Sequence, residues 1–155
     1  MSRAFIKEAD GTFDTLPDRP ISAHPNFVTS KGLKQIETTL TRLRQECAAA
    51  HRANDQAAQA RIARDLRYWT SRYSTAQVIR SPKDTTVVHF GCTVTIEREG
   101  GRRECYRIVG EDEADPSRGT VSHIAPLARA VMGKQVGDVV AVGKSHAEII
   151  EIAFD

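Results

Sequence analysis

The chain has 155 residues, 40% of them hydrophobic and 27% charged, with a formal net charge of +2 at neutral pH. That is room for one ordinary domain, or for one small domain with an appendage, and the balance excludes a disordered or fibrous chain. No run approaches the roughly 18 consecutive apolar residues of a membrane-spanning helix, and the opening MSRAFIKEADG lacks the apolar core of a secretory signal, so the expected setting is the cytoplasm with no membrane partner.

The first segment, residues 1–27, has no sustained periodicity. Gly11, Pro17, Pro20 and Pro25 interrupt it, with Asp10, Asp14 and Asp18 between them. Proline removes backbone donors and biases its predecessor toward extended geometry, so a tail or a strap lying on the rest of the chain is expected. Phe5, Ile6 and Phe13 are its candidate anchors.

Residues 28–80 carry the clearest local signal. Apolar residues recur at Leu33, Ile36, Leu40, Leu43, Cys47 and Ala50, and again at Ile62, Leu66, Trp69, Tyr73 and Ala76. Alternating spacings of three and four are those of a helix seam packed on another helix. Thr29 or Ser30 can cap the first helix. Asn54-Asp55 supplies turn chemistry between the two, and Asp55 can cap the second. A turn this short forces the helices antiparallel, so the segment is a helical hairpin or coiled coil. Residues 31–80 hold 10 Lys+Arg against 4 Asp+Glu. Arg42, Arg44 and Arg52 on the first helix and Arg61, Arg64, Arg67 and Arg72 on the second therefore predict a basic outer face. Few of these arginines find an acid at i,i+4, so Arg52, Arg61, Arg64 and Arg67 are candidates to meet nucleic acid or an acidic surface.

Residues 81–155 turn to strand periodicity, over Thr86–Phe90, Cys92–Arg98, Arg103–Val109, Thr120–His123, Asp138–Val142 and Ala147–Ala153. A hairpin at Gly100-Gly101 that pairs Ile96 with Tyr106 and Val94 with Ile108 puts the apolar residues on one face. Pro126–Met132 reads as a short helix, with proline in its first turn and Gly133 as its stop. The predicted fold class is α+β: a helical hairpin, then a small antiparallel β domain with one short helix. Cys47, Cys92 and Cys105 form no CxxC pair and are expected as small buried or half-buried residues.

Motifs of intrinsic catalysis are missing from the sequence. It contains no GxxxxGK[ST], GxSxG or HExxH string, and its five histidines lack metal-ligand spacing. The acidic run Glu111-Asp112-Glu113-Ala114-Asp115 reads as a solvated loop that could attract a cation or an arginine.

Two strings are more specific. YRIVGEDEAD (Tyr106–Asp115) and SHIAPLARAVMGKQVGD (Ser122–Asp138) closely resemble the C-terminal domain of the Gre family of bacterial transcript cleavage factors. VTSKGLKQIETTL at Val28–Leu40 and AQVI at Ala76–Ile79 resemble the family's entry to and exit from its coiled coil. The resemblance covers residues 27–153. It implies an FKBP-like C-terminal domain docked on the β′ subunit of bacterial RNA polymerase, at the rim of the secondary channel, with the coiled coil entering that channel and its arginines facing nascent RNA or an acidic wall. Asp112, Asp115, Pro126, Leu127, Arg129 and Lys134 are then the candidate docking residues. The resemblance also implies no cofactor of the chain's own, but a Mg²⁺ held jointly with the polymerase by two tip carboxylates in a G-D-x-x-E-N string. Here the tip reads Asn54-Asp55-Gln56-Ala57-Ala58-Gln59, so Asp55 matches the aspartate while Ala58 replaces the glutamate. The helices are also shorter than the family's, and the proline-containing extension departs from its short start. The expectation is a monomeric, polymerase-binding elongation factor that modulates elongation, with any RNA cleavage performed by the polymerase. The other readings are a channel-occupying regulator without cleavage, and an FKBP-like peptidyl-prolyl isomerase suggested by fold alone.

Overall fold

The computed structural model describes residues 15–80 and 82–154. The candidate anchors Phe5, Ile6 and Phe13 lie outside them. The chain divides into two compact units: residues up to Ala23 together with Lys34–Thr75, and His24–Leu33 together with the chain from Ala76 onward.

The first unit is built on two helices, α1 (Ser30–Arg52, whose first turn belongs to the second unit) and α2 (Gln56–Thr75). Leu43, Ala50 and Ile62 are buried together, with Cys47, Ala58, Leu66 and Trp69 packed against them, as the three-and-four spacing requires. The turn between the helices is closed by backbone bonds. Asp55 N–H donates to the Ala50 carbonyl at 3.0 Å and Asn54 N–H to His51 at 3.1 Å, while Asn54 sits in the left-handed region at φ 52°. Asp55 then caps α2 by accepting from Ala58 N–H at 3.1 Å.

Near the end of α2 the expected seam is wrong. Tyr73 is 47% exposed, whereas Arg72, assigned to the outer basic face, is only 2% exposed. A long arginine stem can be buried when its guanidinium keeps a partner, and Arg72 does. Apolar counting cannot see that option.

In the second unit, β1 (Phe27–Val28) and β2 (Gln77–Val78) form a parallel pair, so the residues entering α1 and leaving α2 are tied to each other. The main sheet has the order β5-β4-β3-β7-β6, from β3 (Thr93–Arg98), β4 (Arg103–Val109), β5 (Thr120–Ser122), β6 (Val139–Val142) and β7 (Ser145–Ala153). It is mixed rather than antiparallel. β4 and β5 run parallel because residues 110–119, including a 3₁₀ turn at Pro116–Arg118, carry the chain back before β5 begins. Thr86–Phe90 is no strand. It contributes an isolated bridge, Val87 to Gln135, yet still buries Val88 in the core.

The β3–β4 hairpin has a different register from the expected one. Val94 pairs with Tyr106 and Ile96 with Glu104. Gly100 and Gly101 are both left-handed, at φ 92° and 85°, and Arg98 N–H bonds the Arg102 carbonyl, so the loop closes one residue earlier. The slip moves both strands together and keeps the same face inward. It also lets Arg98 reach Glu104 at 3.1 Å, and Glu104 accept from Tyr106 Oη at 2.8 Å. Cys105 is exposed, against expectation, because it lies on the outer face opposite Thr95; Cys92 is buried and Cys47 half-buried.

The short helix α3 (Pro126–Val131) seals the core, with Ala128 and Val131 buried among Val94, Ile96, Ile108 and Ile149.

Candidate functional site

Around α3, burial separates the residues into two sets. Ala128 and Val131 point inward, Leu127 is half-buried against the core, and Pro126, Arg129, Met132 and Lys134 are exposed. Pro126 starts the helix, where its missing N–H costs nothing. Beyond Gly133, Val136 is 58% exposed and Val139 64% exposed. Three of the seven exposed large hydrophobic residues of the described chain thus fall between Met132 and Val139. Pro126, Leu127, Arg129 and Lys134, named from the sequence, lie in the stretch Ile124–Lys134 that also holds Met132, while Val136 and Val139 fall beyond it. Alternation in β6 turns Val139, paired with exposed Glu148, to the sheet face opposite buried Val140 and so away from α3.

The acidic loop is less open than its composition suggests. Asp115 caps the 3₁₀ turn, accepting from Ser117 N–H at 3.1 Å, with Arg118 3.5 Å away. Asp112 is half-buried and engaged. Glu113, which the sequence did not single out, accepts from Thr29 N–H at 3.0 Å, from the Thr29 hydroxyl, and from Gly110 N–H at 3.2 Å. Thr29 in turn caps α1 by accepting from Gly32 N–H at 3.0 Å.

The hairpin arginines do not form one open face. Arg52 and Arg61 are exposed. Arg64 is partly covered, 3.3 Å from Asp65. Arg67 reaches back to the first segment, donating from Nε to the Asp18 carboxylate at 2.5 Å and from its terminal nitrogen to the Leu16 carbonyl at 3.0 Å. Arg19 completes the strap. It lies 3.5 Å from Asp65, with its guanidinium 3.9 Å from the centre of the Tyr68 ring and 5.9 Å from that of Trp69. Exposed pairs of this kind contribute at most about 1 kcal/mol each, and salt screens them.

At the tip, Asp55 is exposed and one of its oxygens is committed to the cap. Ala58 supplies no ligand, and among the described residues no group of three or more His, Cys, Asp or Glu could hold a metal ion. A lone carboxylate does not fit a Mg²⁺ site, which wants near-octahedral oxygen ligation. The cavity beneath α3, lined by Tyr106, Leu127 and Val131 among others, has a volume of about 10 Å³. A space that small, lined only by apolar surface, gives no support to an isomerase.

Comparison with known proteins finds relatives over most of the chain. Residues 83–154 match the model of the C-terminal domain of the transcription elongation factors GreA and GreB. GreA of Nitratidesulfovibrio vulgaris is 34% identical over 152 residues, covering 82% of this chain and 92% of the relative. GreA of Alkalilimnicola ehrlichii is 38% identical over 117 residues, covering 70% and 72%. A solved GreA/GreB structure from Nitrosomonas europaea covers 83% of this chain and 99% of its own at 22% identity, with a TM-score of 0.43. On the length and identity of the sequence matches, the chain belongs to the GreA/GreB family of transcription elongation factors.

Proposed function

We propose that this chain binds bacterial RNA polymerase through the exposed face of α3 and the segment after it, and modulates elongation by presenting its helical hairpin at the secondary channel. The observation that carries the reading is that Pro126, Arg129, Met132 and Val136, inside the family-matched region, are exposed while their neighbours Ala128 and Val131 are buried. The docking site on the polymerase is the β′ subunit at the channel rim, and the factor acts as a monomer in the cytoplasm. Asp112 and Asp115 contribute to the surface through the loop they shape rather than as free charges, since Asp115 is spent on a cap. Lys134, between Met132 and Val136, is exposed as well.

The hairpin occupies the channel more readily than it performs chemistry there. Asp55 is a helix cap without a second carboxylate, so the described residues offer Mg²⁺ no site of their own, and any cleavage belongs to the polymerase. A stalled, backtracked elongation complex tests both parts. The expected result is stable binding that alters pausing or elongation, with little transcript shortening. Robust Mg²⁺-dependent shortening abolished by Asp55→Ala would replace channel occupancy with assisted cleavage. Failure to bind would remove the docking assignment.

A further inference from the structure

We propose that residues Leu16–Arg19 are a displaceable internal occupant of the α2 surface, lying where a single strand of RNA would bind. The proposal rests on the reading that the hairpin works at the elongation complex, and it assigns the partner and the control of the arginine face.

Besides the Arg19–Asp65 ion pair and the Leu16 carbonyl on Arg67, the strap makes two contacts that bear on the choice of ligand. The Asp18 carboxylate sits on the Arg67 guanidinium, and the planar Arg19 cation stacks on Tyr68. A single-stranded nucleic acid makes contacts of the same two kinds: an anionic phosphate on arginine and a flat ring on an aromatic side chain. The surface beneath the strap is suited to that ligand. Tyr68 and Trp69 pack edge to face with ring centres 5.1 Å apart, and Arg61, Arg64 and Arg67 follow one another at three-residue steps along α2. Residues three apart are neighbours on a helix surface.

The strap is also built to leave. Asp18 is 73% exposed and Arg67 45%, so their pair is screened by salt. Pro17 and Pro20 bracket Asp18-Arg19, and residues 15–22 form neither helix nor strand. With two backbone donors removed in four residues, release breaks side-chain contacts rather than a hydrogen-bonded ladder.

Two measurements on the full chain test this. The first compares wild type with the Asp18→Ala/Arg19→Ala double variant for binding of a fluorescein-labelled oligouridylate. One acid and one base are removed, so the net charge is unchanged and a general electrostatic gain is excluded. The expected result is tighter binding by roughly tenfold, lost again when Arg67→Ala is added. Unchanged or weaker affinity with helicity intact overturns the proposal. The second uses unmodified protein, whose one tryptophan is Trp69. Oligouridylate should quench its emission, and added salt should reverse the effect. If polyglutamate changes the emission and oligouridylate does not, the displaced strap makes way for an acidic protein segment and the RNA assignment is overturned. Polymerase binding is followed in parallel. If it persists while RNA has no effect, only the strap proposal fails; if it is absent, the functional reading beneath it fails too.

Discussion

Glu113 holds Thr29 by two hydrogen bonds, one from its backbone N–H and one from its hydroxyl, across 84 residues of sequence. The same hydroxyl oxygen accepts from Gly32 N–H and so caps α1. An acidic side chain from the family-matched domain therefore completes the start of the hairpin's first helix. A Cβ on Gly32 would lie 2.1 Å from the Glu113 carboxyl carbon, so glycine is what leaves room for the clasp.

This arrangement predicts a reversal of sign. Glu113→Ala should destabilise the protein by about 1–3 kcal/mol in urea unfolding, because Thr29 and Gly110 lose a shared acceptor. Gly32→Ala alone should also destabilise, by displacing the carboxylate. In the Glu113→Ala background the same change should stabilise, since alanine is favoured over glycine in a helix by up to about 1 kcal/mol. Additive effects would show that the clasp does not limit residue 32.

Docking and packing at α3 should separate cleanly. Arg129→Glu with Met132→Ala should weaken polymerase binding at least tenfold, roughly 1.4 kcal/mol, with little change in melting temperature, because both side chains are exposed. Leu127→Ala should instead lower stability by about 1–2 kcal/mol, as a half-buried side chain packed on the core. Binding assays alongside thermal melts decide the matter. A stable Leu127→Ala protein that cannot bind would move Leu127 to the docking face.

At the tip, Asp55→Ala should cost about 1 kcal/mol of stability through loss of the α2 cap, while Asp55→Asn should be nearly neutral. A metal-holding role predicts a different pattern: both substitutions would abolish any Mg²⁺-dependent activity alike. Comparing the two variants by thermal unfolding and transcript cleavage distinguishes cap from ligand.

Acid should loosen the β domain through Glu104. The bond from Tyr106, with Arg102 and Arg98 beside it, holds this carboxyl below its ordinary value. A depressed folded-state pKa stabilises above the unfolded value and is lost as pH falls through the folded one. The contribution should therefore be complete above about pH 4.5 and disappear below it. Glu104→Gln should flatten the stability profile in that acid window, and should also soften its basic limb, because the same hydrogen bond holds the Tyr106 hydroxyl above its ordinary value. An unaltered acid limb would show that other carboxylates dominate.

Local chemistry made much of this protein legible from its sequence. The three-and-four spacing placed the hairpin, Thr29 and Asp55 were readable as caps because a cap acts within three residues, and alternation with Gly100-Gly101 located β3 and β4. Misreadings arose where partners are distant in sequence. Arg67 looked unpaired because its acid, Asp18, lies 49 residues away. Glu113 looked like part of a solvated run because Thr29 lies 84 residues away. Arg72 was placed outside because periodicity treats every guanidinium as wet, and the parallel β4–β5 pair was missed because strand direction depends on the path of residues 110–119.

Sequence by itself determined the helices, most strands, the family-specific strings and the loss of the tip glutamate, since each is written in adjacent residues or in a fixed period. Tertiary structure alone decided which charges are spent and which remain available. Electrostatic pairing and burial depend on distance through space, and two residues far apart in the chain reveal their contact only once the backbone has brought them together.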